Sequence, residues 1–186
     1  MGRSKDASRQ ASNLSMETSK ASAAAKALPR RSGALALAGW IAACEGVGVV
    51  AGLLIVTDVA GWYSHLLKPS FNPPNWLFGP AWTTLYALMG VAAWLVWRTP
   101  ASPARATGIR LFWLQLALNF FWSMIFFRGH MLLASGVEIL LLLAAIVLTA
   151  AVFARLSRTA ALLMAPYAAW VAFASLLTWS IWQLNR

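Results

Sequence analysis

Long apolar runs separated by short polar breaks make up most of the chain. Five runs, at about residues 34–56, 80–97, 109–127, 131–154 and 160–182, carry almost no charge. Each holds about 18–24 residues, enough as α-helix at ~1.5 Å per residue to cross a hydrocarbon core of ~30 Å. The breaks between the later runs are short, so successive helices are expected to lie antiparallel in one bundle. The pattern predicts an all-α integral membrane protein, with a five-helix domain over 34–186. Residues 1–33 are rich in Ala, Ser and Lys and show no sustained apolar face. They read as a disordered, basic cytoplasmic tail. The first apolar run starts too late, and continues too long, for a secretory signal peptide.

One break is long, at 57–79, and its chemistry is unusual. The stretch WYSHLLKPSFNPPNWLFGPAWTTLY, residues 62–86, holds Pro69, Pro73, Pro74 and Pro80 together with seven aromatic residues. Proline fixes φ and removes a backbone donor, so the stretch cannot be one regular helix. Pro80, preceded by Gly79, suits the first turn of a new helix. The segment reads as a semi-rigid aromatic loop over the mouth of the bundle and one wall of a binding site.

Composition agrees with a membrane protein. Hydrophobic residues are 60% and charged residues 11%, against about half and about a quarter in soluble domains. The net charge is +10, from 15 basic and 5 acidic residues. With five crossings, the seven basic residues of the tail and Arg98, Arg105, Arg110, Arg155 and Arg158 fall on one side. Lys68, Arg128 and Arg186 fall on the other. The positive-inside rule then places the N-terminus in the cytoplasm, and the C-terminus and loop 57–79 opposite. No recognition helix or stacking platform accompanies the basic residues, so they point to anionic lipid rather than to a nucleic-acid partner. Cys44 is the single cysteine, which excludes an intrachain disulfide.

Helical spacing gathers the candidate functional residues. Trp82, Tyr86, Met89 and Ala93 share a face of the second span. Gln115, Asn119 and Trp122 share one on the third, and Trp170, Phe173, Ala174, Leu177 and Thr178 one on the fifth. Amides are costly in lipid, so Gln115 and Asn119 should point inward. Two readings stand: interhelical clasps in an aromatic core, or a cavity lined by indoles with a few polar anchors. Glu45 lies deep in the first span and Glu138 near the start of the fourth, and intramembrane carboxylates are functional candidates. Gly48 and Gly52 form GxxxG, which allows close helix approach within the bundle or between copies. His65 and His130 belong to the loop side, as solvated residues or as haem-iron ligands. No nucleophile–base triad, phosphate loop or metal-ligand cluster is present.

The motifs W-Y-x(4)-K-P-x-x-x-P-P, G-x-x-W-x-x-L-Y and P-Y-x-x-W-x-x-F-A, with LQLALNFFW between them, resemble the TspO/translocator protein family. Its members are also called tryptophan-rich sensory proteins or peripheral benzodiazepine receptors. The resemblance covers about 39–185. It implies a five-helix bundle, usually a homodimer in a bacterial cell membrane, with a pocket under the first loop. That pocket would take porphyrins such as protoporphyrin IX, sterols or benzodiazepine-type ligands, with no cofactor required. Carried over by motif, it would use Tyr63, Trp82, Tyr86, Asn119, Trp122, Trp170, Phe173 and Ala174, with Lys68 available for a propionate. The resemblance implies a sensor, regulator or translocator of tetrapyrroles. Alternatives are light-dependent porphyrin degradation, with Trp82 and Trp170 as redox partners, and a ligand-gated interaction protein acting through the tail. Thr178 stands where many members have Asn, and the third helix lacks the small-residue pattern linked to dimerisation.

Overall fold

The computed structural model describes Met16 and residues 30–186; the rest of the expected tail lies outside the described residues. The helices are α1 (Arg30–Ala60), α2 (Trp62–His65), α3 (Asn75–Trp97), α4 (Pro103–Ser123), α5 (Leu132–Ala154) and α6 (Arg158–Leu184). A π-helical turn, Met124–Arg128, continues α4. Among the described residues five helices are long and apolar enough to span a membrane. Large apolar side chains cover the outside, including Leu53 and Leu162 at 71% exposure each. Such a surface is stable only against hydrocarbon, and the chain is a multi-pass integral membrane protein.

Local chemistry sets the helix starts. Ser102 and Ser157 are N-caps whose hydroxyls accept the Arg105 and Ala160 backbone N–H groups, each at 3.2 Å. Pro103 fills the first position of α4, where a missing N–H is harmless. Arg105 donates to the Thr99 carbonyl (2.7 Å) and the Trp97 carbonyl (3.2 Å) at the end of α3. The expectation for Pro80 needs correction. α3 begins at Asn75, capped by Pro74 in extended conformation, and Pro80 lies inside the helix. Its absent N–H falls in the exposed second turn, at the carbonyl of Trp76, itself 72% exposed, where the lost bond is least costly. The loop is accordingly shorter than expected, 61–74, and contains α2.

Within the unit Leu37–Arg186, α5 packs on α4 and α6, and α3 packs on α6 and α4. Their shared core contains Met89, Phe112, Leu116, Ile146, Phe153, Met164 and Tyr167, all buried. α1 leans on this group at a few points. Trp40 meets Phe112 edge-on (5.9 Å) and stacks on Trp113 (5.5 Å). A Cβ on Gly90 would stand 2.7 Å from the Ile41 Cα, and one on Gly48 would enter the Tyr86 ring. Glycine at these two positions lets α1 and α3 touch. Gly52, one turn on, meets nothing within 4 Å, so half of the GxxxG pair packs and the other half opens.

Candidate functional site

The loop is built to hold its place. Tyr63 donates to the Asn72 Oδ1 at 2.9 Å, and the Asn72 amide donates to the Pro73 carbonyl at 2.9 Å. Burial raises the Tyr63 phenol from its ordinary value to about 12, so at neutral pH it remains a donor. Lys68 lies 4.6 Å above the Tyr63 ring and donates to the Ser64 and Leu66 carbonyls. Asn185, after α6, grips Leu67 on both sides. Its Oδ1 accepts the Leu67 N–H (3.0 Å), and its amide donates to the Leu67 carbonyl (2.9 Å) and the Ile181 carbonyl (2.7 Å). At the end of α1, Asp58 pairs with Arg128 (3.0 Å) and His130 (3.4 Å). His130 takes a left-handed φ of 54° and stacks on Trp62 at 4.2 Å.

Beneath the loop lies a cavity of about 380 Å³, within the range of ligand pockets. Its walls are Glu45, Gly48, Val49, Gly52, Ile55, Val56 and Val59 of α1, and Phe78, Trp82, Thr83 and Tyr86 of α3. Trp122, Phe126 and Phe127 of α4 and the π turn join Trp170, Ala174, Leu177 and Thr178 of α6, and Tyr63 closes the loop end. Trp82 and Trp170 meet edge to face at 6.5 Å and 81°. Trp82 also lies tilted on Tyr86 at 5.5 Å, and Trp122 stacks on Phe126 at 5.3 Å.

Six of the nine candidate residues therefore share one cavity: Tyr63, Trp82, Tyr86, Trp122, Trp170 and Ala174. The other three surround it. Asn119 is 1% exposed and accepts the Tyr86 hydroxyl at 2.5 Å, so it holds a wall residue from behind. Phe173 contacts Trp170 (5.9 Å) and Phe71 of the loop (6.3 Å). Lys68 is taken up by the loop carbonyls. Gln115 is fully buried, as expected of an intramembrane amide, and its Nε2 approaches the Met89 sulfur at 3.9 Å. Glu138 is 8% exposed, and both its oxygens lack partners. The Trp122 Nε1 and Asn119 Nδ2 also lack partners. Sequence reasoning passed over Phe78, Phe126, Phe127 and Asn185. Asn185 carried no signal, because the loop partner it holds is the backbone of a residue 118 positions away.

The family model described as TspO/MBR matches residues 40–183. The chain belongs to the TspO/MBR family. It is 44% identical over 152 residues to the tryptophan-rich protein TspO of Chlorobaculum tepidum, covering 81% of this chain and 96% of that protein. It is 38% identical over 127 residues to the translocator protein of Homo sapiens, covering 67% and 75%. Identity to the tryptophan-rich sensory protein of Cereibacter sphaeroides is 32% over 146 residues, covering 78% and 89%. Membership of the TspO/MBR family supports a membrane sensor or translocator role, and the matched residues span both the loop and the cavity walls. Among the described residues no group of three or more His, Cys, Asp or Glu side chains is placed to hold a metal.

Proposed function

We propose that the cavity binds a tetrapyrrole such as protoporphyrin IX, or a similarly flat hydrophobic molecule, and that the protein senses or translocates it. The observation that carries this reading is the convergence of three indoles and two phenols on one apolar cavity under a clamped loop. Aromatic walls suit a planar π-system through offset and edge-to-face contacts. The polar loop above is the natural end for propionates, and the charge asymmetry supports a loop facing away from the cytoplasm. The functional unit is a homodimer in this reading.

The test is a titration with protoporphyrin IX in the dark, followed by tryptophan quenching of detergent-purified protein. Saturation at around micromolar concentration, roughly −8 kcal/mol, is expected, with weaker binding by Trp82→Phe and Trp170→Phe. No saturation, or binding indifferent to both changes, would return the aromatic walls to packing alone.

A second reading rests on the contact between Trp82 and Trp170 inside the cavity: two oxidisable indoles would flank a bound ring, as light-dependent porphyrin degradation needs. Loss of light-dependent product in Trp82→Phe with binding retained supports it. Binding without turnover in light removes it.

A further inference from the structure

Among the described residues the cavity wall holds a single charged side chain, Glu45. It lies 15 residues before Ala60, ~22 Å along α1 at 1.5 Å per residue. That places it near the middle of the span Gly33–Ala60 and at the deep end of the cavity, away from the loop. The side chain is half-buried. Among the described residues its carboxylate has no hydrogen bond or ion pair. The titratable groups near it are Cys44 on the same helix and Tyr86 on α3. The Tyr86 hydroxyl is already committed to Asn119. Among the described residues no Lys, Arg or His lines the cavity.

An acid at this depth is costly unless something compensates it, and such residues usually mark a ligand or ion path with a definite partner. Here the protein supplies none, and the cavity is where one can enter. We propose that Glu45 is the polar anchor of the cavity and selects ligands that present a cationic amine or an N–H donor at the inserted end of a flat apolar body. The inference rests on the reading of this space as a ligand site and adds polarity to it: donor or cation deep, carboxylates towards the loop. A tetrapyrrole would accordingly enter with its propionates pointing away from Glu45.

The test compares two probes with the same ring system, 9-(aminomethyl)anthracene, a cation at neutral pH, and uncharged 9-anthracenemethanol. Binding to the full chain in detergent is read by energy transfer from tryptophan, with empty micelles as the blank. The ammonium probe should bind about tenfold more tightly, and Glu45→Gln should remove that preference. Val49→Lys puts a cation one turn along the same helix, i to i+4 from Glu45, and should remove it too. The second variant keeps the test open if the first folds poorly. Equal binding of the two probes, no saturable binding of either, or a preference that survives in folded Glu45→Gln would overturn the assignment. Failure of protoporphyrin IX to bind while the amine preference persists would remove the tetrapyrrole reading and leave the role of Glu45 standing.

Discussion

Asn185→Ala should loosen the aromatic loop without unfolding the bundle. The side chain makes two hydrogen bonds to Leu67 and one to Ile181 of its own helix. Of these three bonds, the Leu67 pair ties the loop to α6. A hydrogen bond contributes about 1 kcal/mol net, so losing the pair should favour loop opening by about 2 kcal/mol, roughly 30-fold in the local equilibrium. Hydrogen exchange of the purified protein measures this directly. Leu67 and its neighbours should exchange faster, whereas amides in the middle of α5 and α6 should be unchanged. Asn185→Asp keeps the acceptor for the Leu67 N–H and loses the donor, so it should fall between wild type and Ala. Unchanged exchange at Leu67 in the Ala variant would show that the prolines, the Tyr63–Asn72 bond and the Phe71–Phe173 contact hold the loop without it, and would rule out the clamp.

Other consequences can be checked with the same material. Gly90→Ala would press its methyl against the Ile41 backbone and should lower stability by about 1–3 kcal/mol as overpacking, seen as a fall in Tm. Gly52→Ala, with open space around it inside a helix, should raise Tm slightly, since alanine favours the helix by about 0.5–1 kcal/mol. Tyr86→Phe strips the buried Asn119 oxygen of its donor and should cost about 1–3 kcal/mol, with Asn119→Leu in the same background recovering part of the loss. The raised value of Tyr63, about 12, means that its contribution to stability is complete below pH ~10, the ordinary tyrosine value. It is lost as pH climbs towards 12. The tyrosinate absorbance difference between wild type and Tyr63→Phe should therefore titrate above pH 10, and a normal titration there would refute the effect of burial.

Much of this architecture was legible because the bilayer makes hydrophobic length decisive. A charge-free run long enough to span must be a helix, as its backbone can find partners only within itself. The inward faces were legible for a related reason: Gln115 and Asn119 at i and i+4 cannot both face lipid cheaply, and both are buried. The local rule for Pro80 misled, because it weighs one residue, whereas the helix from Asn75 sets Phe78 edge-on against Trp170 at 6.0 Å. Glu45 was visible as an intramembrane acid, but a period of 3.6 residues cannot tell a face turned to a cavity from one turned to lipid. Asn119 lies behind the wall for the same reason, since spacing fixes direction and leaves depth undetermined. Phe126 and Phe127 could not be assigned to one surface by helical spacing, because the turn that carries them is not α-helical.

That π turn has a consequence for insertions and deletions. The Gly129 N–H reaches back five residues to the Met124 carbonyl at 2.8 Å, and the Met131 N–H six residues to the Ile125 carbonyl at 3.1 Å. The widened turn accommodates one residue more than an α-helix would need there. Removing a single residue from 124–127 would let the segment relax to α-helical winding with little rotation of the chain beyond it, whereas removing one from the regular α-helical turn before it, 120–123, would rotate that chain by ~100° against the rest of α4. The deletion in 120–123 would swing Arg128 away from Asp58, and His130 from Trp62. A one-codon deletion in that regular turn would unlatch the end of α1 and reshape the cavity together, whereas the same deletion within the π turn would be absorbed by it.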